Sequence, residues 1–232
     1  MKNKIRQMKG FTLVELLIVI ALIAILSVAV LATINPIEQS NKARDAKFKN
    51  DAAEVMNSYE RFYASQNKYP WNMDNDASGS IDNDEVAAGT NSIAFFSRDW
   101  RFGILDALGN TTNSQLISTS ELKSAFAGKE PFVSTVANGT SEDSMYVYHS
   151  SDSNYVCFCP KANANRTGDT VNNLKCLSGI STSGNAAVTA TILNAGDANC
   201  ARPTTTEAKL TSFCTTGGAY ANLLCVPEGQ IN

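Results

Sequence analysis

Residues 9–34 read KGFTLVELLIVIALIAILSVAVLATI, and from Phe11 to Ile34 the run is almost unbroken in its apolar character. As a helix rising about 1.5 Å per residue it would reach roughly 36 Å. A hydrocarbon core is about 30 Å thick, so the segment is long enough to cross one. Lys2, Lys4, Arg6 and Lys9 precede it, with no acid among residues 1–10. Basic residues ahead of an apolar span place the N-terminus in the cytoplasm and the remainder outside. A secretory signal peptide carries its small-residue cleavage site after the apolar segment. Here the small residue, Gly10, comes before it, so a cut after Gly10 would leave the span in the mature chain.

One charge interrupts the run. Glu15 lies inside it, and an acid at membrane depth is costly enough that it usually has a partner and a task. Two readings stand. Glu15 is near the membrane edge and reaches the headgroups, or it meets an opposite charge within the membrane. A cut after Gly10 would create a positive amine on Phe11. The same amine on a neighbouring subunit would then pair with Glu15. Such a pair would set the axial stagger between subunits, because other registers leave a buried charge alone.

The string KGFTLVELLIVIALIAIL resembles the class III signal of type IV prepilins and type II secretion pseudopilins. The resemblance covers the N-terminal stem. It implies that a prepilin peptidase cuts after Gly10 and methylates Phe11, and that Glu15 is the assembly acid. It also implies the partners: identical or homologous pilin subunits, the peptidase, an inner-membrane assembly platform, and the membrane itself before assembly. The implied end point is an extracellular pilus or a periplasmic pseudopilus.

After the span, Asn35-Pro36 interrupts the helix, since proline removes a backbone donor and clashes with the preceding turn. Phe48, Ala52, Val55, Met56, Tyr59, Phe62 and Tyr63 then recur at helical spacing, which predicts a stripe resting on a folded head. Asp45 and Lys49 form an acid-first i,i+4 pair that supports this helix. Asn67 suits a C-cap and Pro70 stops the helix. The organisation expected is a basic leader (1–10), a stem (11–67, with 11–34 as transmembrane and assembly segment) and a head (68–232).

Residues 74–85 read DNDASGSIDNDE and follow the spacing of an EF-hand calcium loop. Asp74, Asp76 and Ser78 take the first, third and fifth positions, with Gly79 at the sharp turn. The Ser80 carbonyl, Asp82 and Glu85 take the seventh, ninth and twelfth. Calcium accepts six to eight hard oxygens, and alternate residues of a tight loop aim them inward. The competing reading is a solvated acidic turn, since Asp, Asn, Ser and Gly all favour turns. Tyr69-Pro70-Trp71 leaves no room for an entering helix, so the expectation is an isolated loop binding structural Ca2+.

Cys157, Cys159, Cys176, Cys200, Cys214 and Cys225 all lie in the last third. An even number clustered in an exported region reads as a disulfide framework whose pairing sequence does not choose. Cys157 and Cys159 stand at strand spacing on one face, which favours two different partners over each other. A zinc site competes, but a second paired cluster at zinc spacing is lacking. Met145–His149 and Tyr155–Cys159 read as strands with a turn between them. Residues 116–126 read as a short helix, with Ser120 as an N-cap for its second half. The lone histidine, His149, reads as a surface residue at a strand end. Residues 178–222 are rich in small polar residues and bury little. Asn-x-Ser/Thr triplets begin at Asn110, Asn138 and Asn165.

These readings add up to an α+β chain. A long N-terminal helical stem packs on a small antiparallel sheet, with a loop-rich, disulfide-stapled C-terminal region. The net charge is −3, and no basic stripe supports nucleic-acid binding. The sequence has no phosphate loop and no nucleophile beside a base. The expectation is a filament subunit, not an enzyme. The alternatives are a membrane-anchored calcium-dependent binding module, which gives Glu15 no task, and a minor pilin at a filament tip.

Overall fold

The structure, a computed structural model, describes residues 10–33, 35–73, 86, 90, 92–106, 108, 110–133, 143–151, 153–178, 191–194, 197, 200, 214 and 220–228. The chain divides into two units, Met1–Ser40 and Asn41–Asn232.

In the first unit the apolar run forms α1, Leu13–Thr33. Leu13–Leu31 is long and apolar enough to cross a membrane, and none of it is buried. The next helix, α2 (Pro36–Gln66), begins in this unit and continues into the second. Asn35 caps it: its Oδ1 accepts the Glu38 N–H at 3.2 Å. Pro36 occupies the first helical position, where a missing N–H costs nothing. The Asn-Pro pair thus ends one helix and opens the next.

In the second unit α2 buries the expected stripe: Phe48, Ala52, Val55, Tyr59 and Phe62 are fully enclosed, Met56 packs partly against the core, and Tyr63 is 42% exposed. Asn67 closes the helix in the left-handed region (φ 53), and its N–H reaches the Tyr63 carbonyl at 2.7 Å. That is the geometry an asparagine C-cap supplies.

The stripe rests on a six-stranded antiparallel sheet. Its strands are β1 (Ile93–Phe96), β2 (Met145–His149), β3 (Asn154–Phe158), β4 (Leu174–Ser178), β5 (Thr191–Asn194) and β6 (Tyr220–Val226). They lie in the order β1-β2-β3-β6-β4-β5. The rings of Phe48 on α2 and Phe158 on β3 are 5.5 Å apart. Tyr59 reaches through the core to donate to the Phe102 carbonyl at 2.8 Å, which satisfies a hydroxyl that burial would otherwise leave costly.

Two expectations on α2 and the segment after it are corrected. Asp45 does not pair with Lys49. Lys49 instead meets Glu228 at 2.8 Å, while Asp45 is buried at 1% exposure. Its carboxylate accepts the Lys161 and Ala162 backbone N–H groups (2.9 and 3.0 Å) and the Asn165 amide (2.8 Å). Arg44 beside it bonds the Cys159 carbonyl at 3.1 Å and Asp143 at 2.8 Å. Burial alone would raise the Asp143 carboxyl, but Lys161 and Arg44 outweigh it and hold it below the usual range. Asp45 and Arg44 together lock the chain after β3 onto the helix.

Residues 116–126 are not one helix. A single turn, α3 (Gln115–Ser118), is followed by a separate 3-10 turn over Ser124–Gly128. Ser120 sits at φ 63, a left-handed value that ends a helix and does not cap a new one. A further short turn, α4, spans Glu130–Val133. Gly103 is a close-packing point: at φ 88, an added Cβ would fall 2.8 Å from Cβ of Pro70. Only glycine meets both conditions.

All six cysteines are paired: Cys157–Cys225, Cys159–Cys214 and Cys176–Cys200. The zinc alternative is therefore overturned. Cys157 and Cys159 do take different partners. Cys157 and Cys225 are register partners across β3 and β6.

Candidate processing and assembly site

Gly10 is exposed, and a Cβ built on it would meet nothing within 4 Å. Among the described residues nothing demands glycine there. Phe11 beside it is 85% exposed.

Glu15 has a partner on its own helix. The backbone N–H and the hydroxyl of Thr12 each reach Glu15 Oε2 at 2.8 Å. In return the Thr12 hydroxyl oxygen accepts the Glu15 N–H at 3.2 Å. This reciprocal pair is a capping box, with Thr12 as N-cap and Glu15 at the third helical position. It satisfies two donors that a helix start otherwise leaves bare. It also sets a negative charge at the positive end of the helix dipole. Sequence reasoning missed Thr12, although the Thr-x-x-Glu spacing ahead of an apolar run is its signature. The groups involved belong to residues after Gly10, so a cut there would leave the box intact.

The other predicted site falls elsewhere. Asp74, Asp76, Ser78, Ser80, Asp82 and Glu85 lie outside the described residues. Among the described residues no group of three or more His, Cys, Asp or Glu could hold a metal ion. The chain on either side of the acidic segment is fixed, however. The Val86 N–H donates to the Trp71 carbonyl at 2.8 Å, and Asn72 Nδ2 donates to the Val86 carbonyl at 2.7 Å. Trp71 continues a stack through Tyr69 to Tyr63 on α2, with ring centres 4.7 Å apart at each step.

His149 borders this stack and is not the surface residue expected. It is half-buried, lies 4.8 Å from the Tyr69 ring and 5.1 Å from that of Trp71, and bonds the Asn154 side chain. Burial pushes its pKa down, against the opposing effect of that bond. Of the three glycosylation triplets, Asn165 is engaged with Asp45, Asn110 is exposed, and Asn138 lies outside the described residues.

Residues 5–31 match the family model of the prokaryotic N-terminal methylation motif. That segment is a class III prepilin signal, the kind carried by type IV pilins and pseudopilins. No curated protein and no solved structure matches the chain. The motif implies processing by prepilin peptidase and association with other pilin subunits. It points to a pilin-like or pseudopilin precursor with a structural role.

Proposed function

We propose that the chain is a filament subunit, cut after Gly10, methylated on Phe11, and stacked with its neighbours through α1. The filament is a type IV pilus or a pseudopilus. Its work is mechanical, in adhesion, motility, DNA uptake or protein secretion. The observation that carries the reading is the methylation motif spanning residues 5–31. Two features support it. α1 is a fully exposed apolar helix, a surface that lipid covers before assembly and neighbouring stems cover afterwards. Gly10 is small without any need arising from the fold, which suits a residue chosen for a peptidase. Within the filament, Glu15 pairs with the Phe11 amine of a neighbour.

Intact mass and N-terminal sequencing of the protein from its native membrane test this directly. The expected chain begins at Phe11 and is heavier by one methyl group. A chain still beginning at Met1 would overturn the reading and leave a permanently anchored surface module.

The same reading includes a structural calcium ion on residues 74–85. Its support is the donor chemistry: Asp74, Asp76, Asp82 and Glu85 carboxylates, the Ser78 hydroxyl and the Ser80 carbonyl, at the spacing of a calcium loop. The ties between Trp71, Asn72 and Val86 hold the two ends of that segment together. An ion that binds only the folded form stabilises it by about 2.7 kcal/mol at a hundredfold excess over Kd. Calcium is therefore expected to raise the unfolding temperature, a chelator to lower it, and Glu85→Gln to remove the response. An unfolding temperature unmoved by calcium or chelator would eliminate the ion from the account.

A further inference from the structure

Lys175 is a buried base on a strand beside the sheet edge. It is 1% exposed. Across the β4–β5 ladder it is the register partner of Asn194, the last residue of edge strand β5. Its Nζ points at the Asn194 side chain, 3.5 Å from Oδ1, and lies 5.6 Å from the centre of the Tyr155 ring. Asn194 is itself pinned: its N–H donates to Asp197 Oδ2 at 2.8 Å, and its carbonyl accepts the Asp197 N–H at 3.2 Å. Asp197 thus fixes the backbone of Asn194.

We propose that the Lys175 amine and the Asn194 carboxamide, held together across β4 and β5, condense into an intramolecular amide crosslink. The Nζ lone pair attacks Cγ of Asn194. A new Nζ–Cγ bond forms, the Cγ–Nδ2 bond breaks, and Nδ2 leaves as ammonia, taking up the proton that Nζ gives away. The step is an exchange of one amide for another, so it needs no oxidant, reductant or further reactant.

Three features favour it. Burial pushes the Lys175 amine down from its ordinary pKa, which raises the share of the neutral, nucleophilic form. The amine stands within hydrogen-bonding reach of the carboxamide it would attack, and confinement of that kind stands in for a very high reactant concentration. The ladder fixes both backbones, so neither side chain has to search. The consequence is mechanical. Among the described residues β5 neighbours only β4 in the sheet, and a strand held by one ladder is the first to peel. The Cys176–Cys200 disulfide already fastens this region. The amide would add a bond that reducing agents do not break.

The test is the intact mass of the full chain, purified from its native membrane without reduction. The expected value is lower by one ammonia than that of the same chain carrying only its three disulfides. Digestion should yield a branched peptide joining the segments around Lys175 and Asn194. Lys175→Arg and Asn194→Ala should each restore the missing mass. Asn194→Asp should still crosslink, losing water instead, and arrive at the wild-type mass. A wild-type chain with no ammonia missing overturns the proposal. So does an ammonia deficit that persists in Lys175→Arg, which would place the loss at another residue. The branched peptide from the wild-type chain, present or absent, decides between crosslink and no crosslink even if a variant fails to fold.

Discussion

Replacing Asp45 with alanine is expected to destabilise the head by about 3–5 kcal/mol, the range for removing one member of a buried, hydrogen-bonded charge cluster. Asp45 is 1% exposed. Both its oxygens are used: Oδ1 takes the Lys161 N–H and Oδ2 takes the Ala162 N–H and the Asn165 amide. Alanine supplies no acceptor, and each buried donor left bare costs about 1–3 kcal/mol. Arg44 loses a carboxylate 3.4 Å away as well. Asp143→Ala is the contrast. Asp143 pairs with Arg44 and Lys161 at 2.8 and 2.6 Å, but it is 30% exposed where Asp45 is 1%, and Arg44 keeps the Cys159 carbonyl as a second acceptor. Its loss should cost less than about 1 kcal/mol. Trp71 and Trp100, the only tryptophans, both lie in the second unit, so their fluorescence reports unfolding of the head in urea with disulfides intact. Equal losses for the two variants would contradict the view that Asp45 is the lock and Asp143 a rim charge.

The Asp45 network marks the limit of what local spacing carries. On sequence alone Asp45 pairs with Lys49, because the i,i+4 rule knows only the helix surface. Its real partners, Lys161, Ala162 and Asn165, lie more than a hundred residues away, and local spacing holds no trace of them. The apolar run was legible because lipid imposes one requirement on every residue of a span. The stripe from Phe48 to Phe62 was legible because a single buried face repeats with the helix. Cys157 and Cys159 were legible as two residues on one face. Their pairing depended on β6 arriving beside β3 from the far end of the chain, a non-local fact. Residues 116–126 misled because apolar spacing continues across Ser120, while the backbone there turns left-handed. Thr12 was legible too, since its cap lies within one helical turn, but the charge on Glu15 masks the threonine three residues before it.

Replacing Glu15 with alanine is expected to cut filament yield about tenfold or more while leaving membrane insertion unchanged. Insertion depends on apolar length, and alanine makes α1 more apolar, so the membrane-bound fraction should hold or rise. Assembly depends on register. In a stack of apolar helices the dispersion contacts change little when one helix slides by a turn, so they fix the stagger weakly. A charge in lipid costs about 2.5–3.5 kcal/mol at the centre of a span, and under the proposed pairing only one register would bring the Phe11 amine of a neighbour to Glu15. Removing the acid would then strand that amine and flatten the preference. A difference of about 1.4 kcal/mol per subunit contact already amounts to tenfold in its equilibrium. The capping box adds a second arm to the test. Thr12→Val deletes the hydroxyl that donates to Oε2 at 2.8 Å but keeps the backbone N–H and the acid itself. Helix caps of this kind are worth about 1 kcal/mol, so Thr12→Val should lower yield less than Glu15→Ala does. Filaments sheared from cells and compared with the membrane fraction by immunoblot measure both effects. Wild-type yield from Glu15→Ala would show that the acid does not set the register. A Thr12→Val loss as deep as that of Glu15→Ala would mean that the acid acts through its own helix start, with no need of a neighbour's amine.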